Sequence, residues 1–574
     1  MENTPTPKKR KAGKILKIIL WIGILLIVIA GGLFTYAYFQ YGKIIRTMLI
    51  EAVNRESKGL YRAEIGSLYL NVLAGNLTLK DLELIPDTAL YRKGSDSLTF
   101  SPLMLRLKVG QFRVVSFNIW DAIRNRKIDI SAIRIKSPEI TLFRMKPSRQ
   151  AREDKPAHRI MSIPLPKGLI SICIREIEFD RGKLDFYDLS GDSVIHQSVP
   201  SCSVMIRNIL VDSSHQGKKR LFNADDISIT VNDIEMKTKN GLNKILLGEI
   251  GLSTGSNLLY VKGFHLAPLF SRHDYTRKLG FQTDRMDIYV GRIDVNRLNF
   301  RELILGGKFM AGLVAIDSLL LDNYRDKRVP RRPGFKPAMP QDGIRKLKAY
   351  LKIDTVLLKN GKASYAEQVN QEPGTIYFDK MEGMLTGLTN DSSLLNAGLV
   401  SVLKGTAWLM GKGRLDATVR FRFGDKRNSF SFSANLGSID LREINPMLTK
   451  LLPAEVISGK VNRLEMPMVT ANDDVATGKL LFYYHDLSIA VTSEKKSTWT
   501  SIKKGVVNFV ANDLIVNDAN PTKSGKMKTG MIYFRRDKEK GIINFVWKSA
   551  LSGLKSTMGF NSKEQKALIK AEGD

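Results

Sequence analysis

The clearest nucleophile motif in the sequence is Gly251-Leu252-Ser253-Thr254-Gly255, which matches the pattern of a nucleophile elbow. In hydrolases this pattern works only on a turn from a strand into a helix, where the turn exposes the serine. The flanking segments, LLGEI and NLLYVKG, are both strand-like. We therefore expect Ser253 to be a turn residue and not a catalytic nucleophile.

The other residues that could do chemistry lack the necessary spacing. Lys412 lies in GTAWLMGKG, which has neither the spacing of a phosphate loop nor the serine or threonine that follows its lysine. The acid pairs Asp225-Asp226 and Asp473-Asp474 lie in predicted turns, where aspartate stabilises the backbone. The histidines occur singly, with no second ligand at metal spacing: His158, His196, His215, His265, His273 and His485. We predict no enzyme activity, no metal and no cofactor.

The charge of the chain points to an anionic partner. The 574 residues include 89 lysines and arginines and 57 aspartates and glutamates, which gives a formal net charge of +32. Such a surplus is typical of proteins that meet nucleic acid or a membrane surface. With 43% apolar residues the chain has the composition of a folded protein.

The N-terminus favours the membrane. The apolar run Ile15–Phe39 would span roughly 37 Å as a helix, enough to cross a bilayer with tilt. Lys8, Lys9, Arg10 and nearby lysines precede it, so the positive-inside rule leaves the N-terminus in the cytoplasm and the bulk of the chain outside. We therefore predict a single-pass signal anchor and no nucleic-acid partner. The alternative is a cleavable signal peptide ending near Ala30.

The two cysteines, Cys173 and Cys202, could pair in an oxidising compartment. Both lie in apolar, strand-like runs where a buried free thiol fits equally well. The sequence leaves this choice open.

These residues must be positioned mainly by β-structure. The segment ICIREIEFDRGKLDF, residues 172–186, alternates apolar and polar residues with one kink at Arg175-Glu176. Asp180, Arg181 and Gly182 then have the composition of a tight turn. The pattern predicts a β-hairpin with one apolar and one polar face.

The same template, with Gly or Pro three places after its fourth apolar residue, occurs three times, more often than chance predicts. We interpret it as a repeated β-hairpin unit. Its apolar positions are our candidates for the lining of an apolar interior: Ile128, Ile130, Ile133, Ile135, Ile140 and Leu142; Ile172, Ile174, Ile177, Phe179, Leu184 and Phe186; Leu351, Ile353, Val356, Leu358 and Tyr365.

Taken along the chain, these patterns predict a mainly β protein: an elongated, curled antiparallel sheet with an N-terminal transmembrane helix and a few short helices. About two dozen strands at 4.8 Å make a sheet on the order of 100 Å long. Exposing the apolar side of such a sheet to water is unfavourable, so we expect the sheet to curl into a trough or groove. The bulges supply the curvature. The alternative is that the same side chains pack together as a closed core.

The predicted organisation has eight segments. They are a basic cytoplasmic tail at 1–14, the anchor at 15–39, a membrane-proximal amphipathic helix at 40–59, an N-terminal β-groove region at 60–328, a proline-rich loop at 329–340, a C-terminal β-groove region at 341–540, an amphipathic helix at 541–561 and a polar tail at 562–574.

The chain resembles the AsmA-like family of the Gram-negative envelope. The resemblance rests on the basic signal anchor, on YRAEIGSLYLNVLAGNLTLKDLELIPD, and on GRLDATVRFRF, FSFSANLGSIDLREINPMLTKLLPAEVISGKV and TGKLLFYYHDLSIAV near the end. That family is similar to the bridge-like lipid transfer proteins, which are built from repeating β-groove units. The resemblance implies a protein anchored in the inner membrane and projecting into the periplasm.

What the resemblance implies about function is phospholipid movement or outer-membrane homeostasis. The expected partners are phospholipids or other acyl lipids, the inner membrane and outer-membrane components. The alternative function is a structural or assembly scaffold of the periplasm with a closed β core and no lipid transport.

Overall fold

The computed structural model describes residues 43–44, 46–55, 57–71, 74–93, 103–145, 169–191, 194–212, 223–491, 518–559 and 561–573. The predicted basic tail and the predicted anchor at 15–39 lie outside these residues. Within the described residues no helix has both the length and the hydropathy that a membrane span requires. Residues 43–44 and 46–55 are helical, where the membrane-proximal helix was expected.

The protein is mainly β. Its twenty described strands belong to one mixed sheet that is not closed. By contacts the chain divides into two compact units, unit 1 at Met1–Ile229 and unit 2 at Thr230–Asp574. The boundary falls within strand β7, Asp226–Lys237.

Besides the helical residues 43–44 and 46–55, the described part of unit 1 contains six complete strands and two short helices. The strands are β1 Tyr61–Asn71, β2 Asn76–Pro86, β3 Leu103–Phe117, β4 Lys127–Arg144, β5 Ser171–Asp188 and β6 Ile195–Asp212. The helices are α1 Thr88–Lys93 and α2 Ile119–Arg124.

Within residues 230–491, 518–559 and 561–573, unit 2 holds the remaining strands and seven α-helices. The strands are β8 Asn243–Ser253, β9 Leu258–Pro268, β10 Asp284–Asn296, β11 Lys308–Asp326, β12 Tyr350–Gln368, β13 Pro373–Thr389, β14 Ser401–Leu409, β15 Gly413–Phe421, β16 Phe430–Leu436, β17 Ile439–Asp440, β18 Ala454–Ala471, β19 Val475–Val491 and β20 Thr529–Arg535. The helices are α3 Arg272–Leu279, α4 Phe300–Gly306, α5 Pro340–Arg345, α6 Ser392–Asn396, α7 Asn445–Leu451, α8 Ile542–Thr557 and α9 Lys563–Gly573.

The prediction that each template copy is a hairpin is wrong. All three copies are single long strands, β4, β5 and β12. The residue before the template Gly or Pro has a positive φ, 47° at Ser137, 51° at Arg181 and 54° at Asn360. One residue in this conformation followed by glycine can reverse a chain, but here it forms a bulge within a continuing strand. Neighbouring strands pair along both sides of β5, and this pairing keeps it extended.

The prediction of an antiparallel sheet is also wrong in part, because the sheet is mixed. Strands β4 and β5 are parallel, and so are β11 and β12. A parallel neighbour requires a connection that returns along the whole strand length. The predicted proline-rich loop forms part of the connection from β11 to β12, and residues 327–339 contain neither strand nor helix.

The two units repeat one topology. Unit 1 begins with the hairpin β1–β2 and continues through α1, β3, α2 and β4 to the parallel strand β5 and then β6. Unit 2 follows the same order: the hairpin β8–β9, then α3, β10, α4 and β11, then the parallel strand β12 and β13. The register repeats as well, since Ile133 lies opposite Ile177 in the parallel pair of unit 1 and Val314 lies opposite Val356 in that of unit 2. We conclude that the chain contains a tandem structural duplication.

The backbone conformation repeats at the same places. Positive φ angles occur at equivalent positions of the two units in eight pairs: Gly59 and Gly241, Gly75 and Asn257, Asp81 and Gly263, Ser116 and Arg297, Arg126 and Gly307, Ser137 and Ser318, Arg181 and Asn360, Asn208 and Gly387. Residues other than glycine adopt this conformation rarely. Its recurrence supports the duplication independently of the strand order.

The C-terminal part of unit 2 has a closed core. Val469, Leu480 and Ile532 are fully buried there, and Phe545 of α8 packs among them at 1% exposure. Helix α8 lies very close to β20, because a Cβ added to Gly530 would come within 2.2 Å of the carbonyl oxygen of Gly553. This part of the apolar face is therefore covered by a helix.

Candidate functional site

The first two sets of predicted lining residues lie side by side in unit 1. The parallel pairing of β4 and β5 places each member of one set opposite its counterpart in the other: Ile128 and Ile172, Ile130 and Ile174, Ile133 and Ile177, Ile135 and Phe179, Ile140 and Leu184, Leu142 and Phe186. Two copies of the template thus form one apolar surface, twelve side chains in six rows.

These side chains are only partly buried. Of the seventeen candidates, Ile135 and Ile353 are buried at 8% exposure, and all the others are half-buried. None is exposed. Ile172, Ile174 and Ile177 pack against a small cluster formed by Ile209, Val211 and Ala224. A filled core gives values near zero, as in the C-terminal part of unit 2, so this surface is less tightly covered than a core.

The third set lies in β12 of unit 2, beside a strand that the sequence template missed. Phe309, Ala311, Val314 and Ile316 of β11 lie opposite Leu351, Ile353, Val356 and Leu358 of β12. Strand β11 has the same apolar spacing, but Leu319 stands where the template requires Gly or Pro. It is a fourth copy of the apolar pattern.

Cross-strand pairing continues the apolar face of unit 2 as two rows that run across the strands. The large-residue row consists of Val295, Val314, Val356, Leu385, Leu403, Val419, Phe432 and Val469. The small-residue row beside it consists of Ile293, Ile316, Leu358, Gly383, Gly405, Ala417, Ala434 and Met466. From Gly383 to Ala434 four consecutive strands present no side chain larger than a methyl group.

A cavity of about 680 Å³ follows the small-residue row. The row contributes Leu358, the two glycines, the two alanines and Met466 to its lining. The residues that flank the row in each strand also line the cavity, and most of them are polar or charged: Leu357, Lys359, Glu382, Met384, Lys404, Thr406, Asp416, Thr418, Ser433, Asn435, Glu465 and Pro467. A Cβ added at Gly383 would meet nothing nearer than the Lys404 carbonyl oxygen, at 3.7 Å, so the space above it is open. The row crosses six strands, β12 to β16 and β18, and the five steps of 4.8 Å between them cover about 24 Å, more than the roughly 15 Å depth of one lipid leaflet.

The two ends of this row differ. At the β18 end the row reaches Met466, at 7% exposure, and the closed core begins. At the β12 end Leu358 is half-buried, and Leu403 of β14, midway along the neighbouring row, is 36% exposed. The apolar face of unit 2 therefore changes from covered to accessible along the sheet.

Polar groups surround the last of the predicted lining residues. The Tyr365 hydroxyl donates to Glu367 Oε2 at 2.7 Å, and Lys327 Nζ lies 2.5 Å from Glu367 Oε1. Burial, followed by the charge of Glu367, raises the pKa of Tyr365. Tyr365 therefore stays neutral and marks the point where the apolar row meets a charged cluster.

The residues considered for catalysis lie in ordinary structural positions. Ser253 ends β8, and the chain turns directly into β9, so the motif lies in a hairpin whose Ser253 Oγ accepts from the Ser256 N–H at 3.2 Å. Lys412 lies in the turn between β14 and β15. His158 and His215 lie outside the described residues.

The described histidines each contact an aspartate. His265 Nε2 lies 2.8 Å from Asp287 Oδ1, and His196 Nε2 lies 3.1 Å from Asp185 Oδ1. His273 and His485 each contact the aspartate that follows them. Among the residues that the structure describes, no group of three or more histidine, cysteine, aspartate and glutamate side chains could hold a metal ion.

The two cysteines are free thiols. Cys202 lies opposite Gly182 and Cys173 opposite Leu210, so the two are well separated along the β5–β6 ladder. Burial raises the pKa of the Cys202 thiol, which favours its neutral form. The choice that the sequence left open is therefore settled in favour of unpaired cysteines.

Sequence reasoning missed the cavity. Gly383, Gly405, Ala417 and Ala434 lie in four different strands, and each is unremarkable within its own segment. They become neighbours only through the register of three successive strand pairs. Only the alternation around each small residue, read together with a correct register, could have revealed the row.

Two comparisons of the sequence with known proteins found no match. No protein-family model matches the sequence, and no curated protein matches it significantly.

Proposed function

We propose that this chain is an AsmA-like envelope protein that binds or conducts phospholipids along an apolar β-groove between the inner and outer membranes, and so contributes to outer-membrane homeostasis. It is held in the inner membrane by the predicted anchor at 15–39, with its bulk in the periplasm. In unit 1 the groove is lined by the candidate residues of β4 and β5, and in unit 2 by those of β12. The chain acts without catalysis.

The observation that carries this proposal is the cavity along the small-residue row. It combines a floor of glycine and alanine, a volume of about 680 Å³ and flanking residues that include the charged Lys359, Glu382 and Lys404. Sites for small ligands commonly have about 300–1,000 Å³. A floor one residue wide that crosses six strands suits a long, narrow, apolar ligand, and an acyl chain has this form.

The free-energy cost of moving a lipid through water explains why such a surface would be useful. Moving a lipid through water exposes its acyl chains at about 0.8 kcal/mol per methylene, which amounts to more than ~20 kcal/mol for two long chains. The half-buried side chains of the groove would become covered when acyl chains lie on them. The groove thereby lowers the barrier without any covalent step.

The second candidate function is a periplasmic scaffold with a closed interior. It is favoured by the core around Val469, Leu480 and Ile532, where no space remains for a ligand. This core occupies one end of unit 2, and the half-buried rows of β11, β12 and β13 lie outside it.

Site-specific photocrosslinking in cells tests the proposal. Leu358 of β12 lines the cavity, whereas Leu320 of β11, which is 50% exposed, does not. A benzophenone amino acid at position 358 is expected to capture phospholipid, and the same group at position 320 serves as the control. Equal labelling at both positions, or none at 358, would exclude the groove and favour the scaffold.

Native mass spectrometry of the full chain, purified in a non-ionic detergent, supplies a second readout. Phospholipid that remains bound after detergent exchange is expected for the groove. A chain that never carries lipid, in several detergents, would contradict the proposal.

A further inference from the structure

Helix α8 packs on the sheet with one side and leaves two large apolar side chains on the other. Phe545, Ser549 and Gly553 recur every four residues and are buried against β19 and β20. Ile543 and Trp547 are offset from this series by two residues, which is about half a turn, so they point away from the sheet. They are 83% and 54% exposed. We call these two side chains the exposed stripe.

The sequence around the exposed stripe is strongly basic. Residues 540–571, which contain α8, α9 and their junction, have six lysines and a single acid, Glu564. Lys548 directly follows Trp547, and Lys555 lies two turns further along α8; both are half-buried. A half-buried lysine covers apolar surface with its methylene groups and keeps its ammonium group in a polar environment. The apolar stripe is therefore accompanied by cations on the same helix.

Helix α9 adds further cations close to α8. The buried Gln565 donates from Nε2 to the Ser552 carbonyl oxygen at 3.3 Å, and this contact holds α9 against the C-terminal half of α8. Lys563, Lys566 and Lys570 are exposed and recur at a spacing of three and four residues, so they share one side of α9. The two helices together present an apolar stripe and a row of lysines.

The combination fits the surface of an anionic bilayer better than it fits a partner protein. Protein interfaces depend on anchor residues that fill matching pockets, and their centres are depleted in lysine. A helix that lies in a membrane interface needs only large apolar side chains on one side with lysines or arginines next to them. Tryptophan in particular favours the level of the lipid headgroups. Anionic headgroups supply the charge that complements the six lysines.

We propose that α8 docks on the surface of an anionic lipid bilayer through Ile543 and Trp547, with the lysines of α8 and α9 contacting the headgroups. Because α8 packs on β20, docking brings the C-terminal part of unit 2 to the bilayer. Such docking is compatible with an open groove and with a closed scaffold, so it stands apart from the proposed function.

Capture of vesicles by the full chain tests the docking surface. The chain is held in nanodiscs of phosphatidylcholine, which carry no net charge, and is immobilised on a sensor. We expect it to bind vesicles of phosphatidylcholine with roughly 30% phosphatidylglycerol about tenfold or more tightly than vesicles of pure phosphatidylcholine. The difference should shrink as the ionic strength rises, because salt screens exposed charges.

Substitutions in the exposed stripe supply the specific test. Ile543→Ser and Trp547→Ser should each weaken capture by about tenfold or more, because each removes a large apolar side chain from the interface. Met468→Ser is the matched control, since Met468 of β18 is 61% exposed and lies outside both helices. Trp547→Phe keeps an aromatic ring and should retain most of the binding if the serine variant does not fold. Absence of capture by wild type, equal capture of neutral and anionic vesicles, or equal losses in the control and the stripe variants would overturn the proposal.

Photocrosslinking in cells separates a bilayer from a protein partner. A benzophenone amino acid at position 543 is expected to form adducts with phospholipid. Adducts with protein and none with lipid would overturn the bilayer as the partner and identify a protein interface instead. Failure of docking is distinct from failure of the groove, because vesicle capture depends on the exposed stripe whether or not position 358 captures lipid.

Discussion

Gly383 of β13 lies directly opposite Gly405 of β14, so two adjacent strands offer no side chain at the same point of the apolar face. Ala417 and Ala434 extend the gap over the next two strands. The result is a narrow depression between Leu358 and Met466 whose width is set by residue size alone. Filling it should affect ligand binding more than folding.

Gly383→Leu is the first test of this relationship. The new side chain projects into the cavity, where an added Cβ makes only ordinary contacts, so we expect folding to be retained. Overfilling a ligand site typically costs about 1–3 kcal/mol, which is roughly tenfold or more in affinity. Lipid crosslinking at position 358 should fall accordingly. Gly110→Leu is the control, since Gly110 lies in β3 of unit 1 with no atom within 4 Å of its added Cβ; an equal loss in this variant would contradict the assignment.

Two leucines distinguish a covered core from an accessible surface. Leu480 is fully buried, and Leu480→Ala should lower the free energy of unfolding by about 2–5 kcal/mol. Leu358 is half-buried, and we expect Leu358→Ala to cost less than about 2 kcal/mol because fewer contacts are lost. Urea unfolding of the two variants provides the measurement. Equal losses would mean that Leu358 belongs to a filled core, in favour of the scaffold.

The parallel pair of unit 1 depends on a glycine. A Cβ at Gly182 would lie 3.0 Å from Pro138 Cγ and 3.2 Å from the Pro138 carbonyl oxygen in the neighbouring strand. We expect Gly182→Ala to destabilise the protein by about 1–3 kcal/mol through overpacking. Pro138→Ala removes the nearer of the two contacts, so the double variant should recover part of the loss in a thermal unfolding experiment. Simple additivity of the two substitutions would show that they do not touch.

Acid should weaken the start of β12 through Asp391. This residue caps α6 by accepting from the Ser393 N–H at 2.9 Å, and it accepts from the Tyr350 hydroxyl at 2.8 Å. Hydrogen bonds from Ser393 and Tyr350 lower the pKa of Asp391 to about 2. Because the folded pKa lies below the unfolded value of about 3.9, its contribution is complete above that value and is lost as the pH falls towards 2.

The measurement for Asp391 is the urea midpoint of wild type and of Asp391→Asn between pH 5 and pH 2. The asparagine still accepts the cap bond but does not titrate. We expect the variant to lose less stability than wild type across this interval. Parallel curves for the two proteins would show that the carboxylate is not stabilised by folding.

The sequence predicted the apolar face better than the path of the chain. The spacing of Ile128 and Ile172 with their followers identified two strands, β4 and β5, whose template residues lie opposite one another. It did not predict the parallel pairing, because Asp180, Arg181 and Gly182 have the same composition whether they form a hairpin turn or a bulge. Only the neighbouring strands, far away in sequence, decide between the two.

Helix α8 shows a second limit of sequence patterns. The apolar spacing in 541–561 predicts one face made of Ile543, Trp547, Ala550, Leu551, Leu554 and Met558. Ala550, Leu554 and Met558 do pack against the core, but Ile543 and Trp547 are exposed. The face that packs on β20 also contains Phe545, Ser549 and Gly553. The close approach permitted by Gly530 selects small residues there, and this preference depends on the partner strand and not on the helix itself.

The tandem duplication has a consequence for how such chains change length in evolution. Each copy contains its own crossover and its own set of left-handed residues, and each strand bonds only to its immediate neighbours. Unequal recombination between the two copies would therefore add or delete a whole module without creating a new fold. Longer and shorter homologues that differ by integral copies, with the helix-covered end preserved, are the expected products.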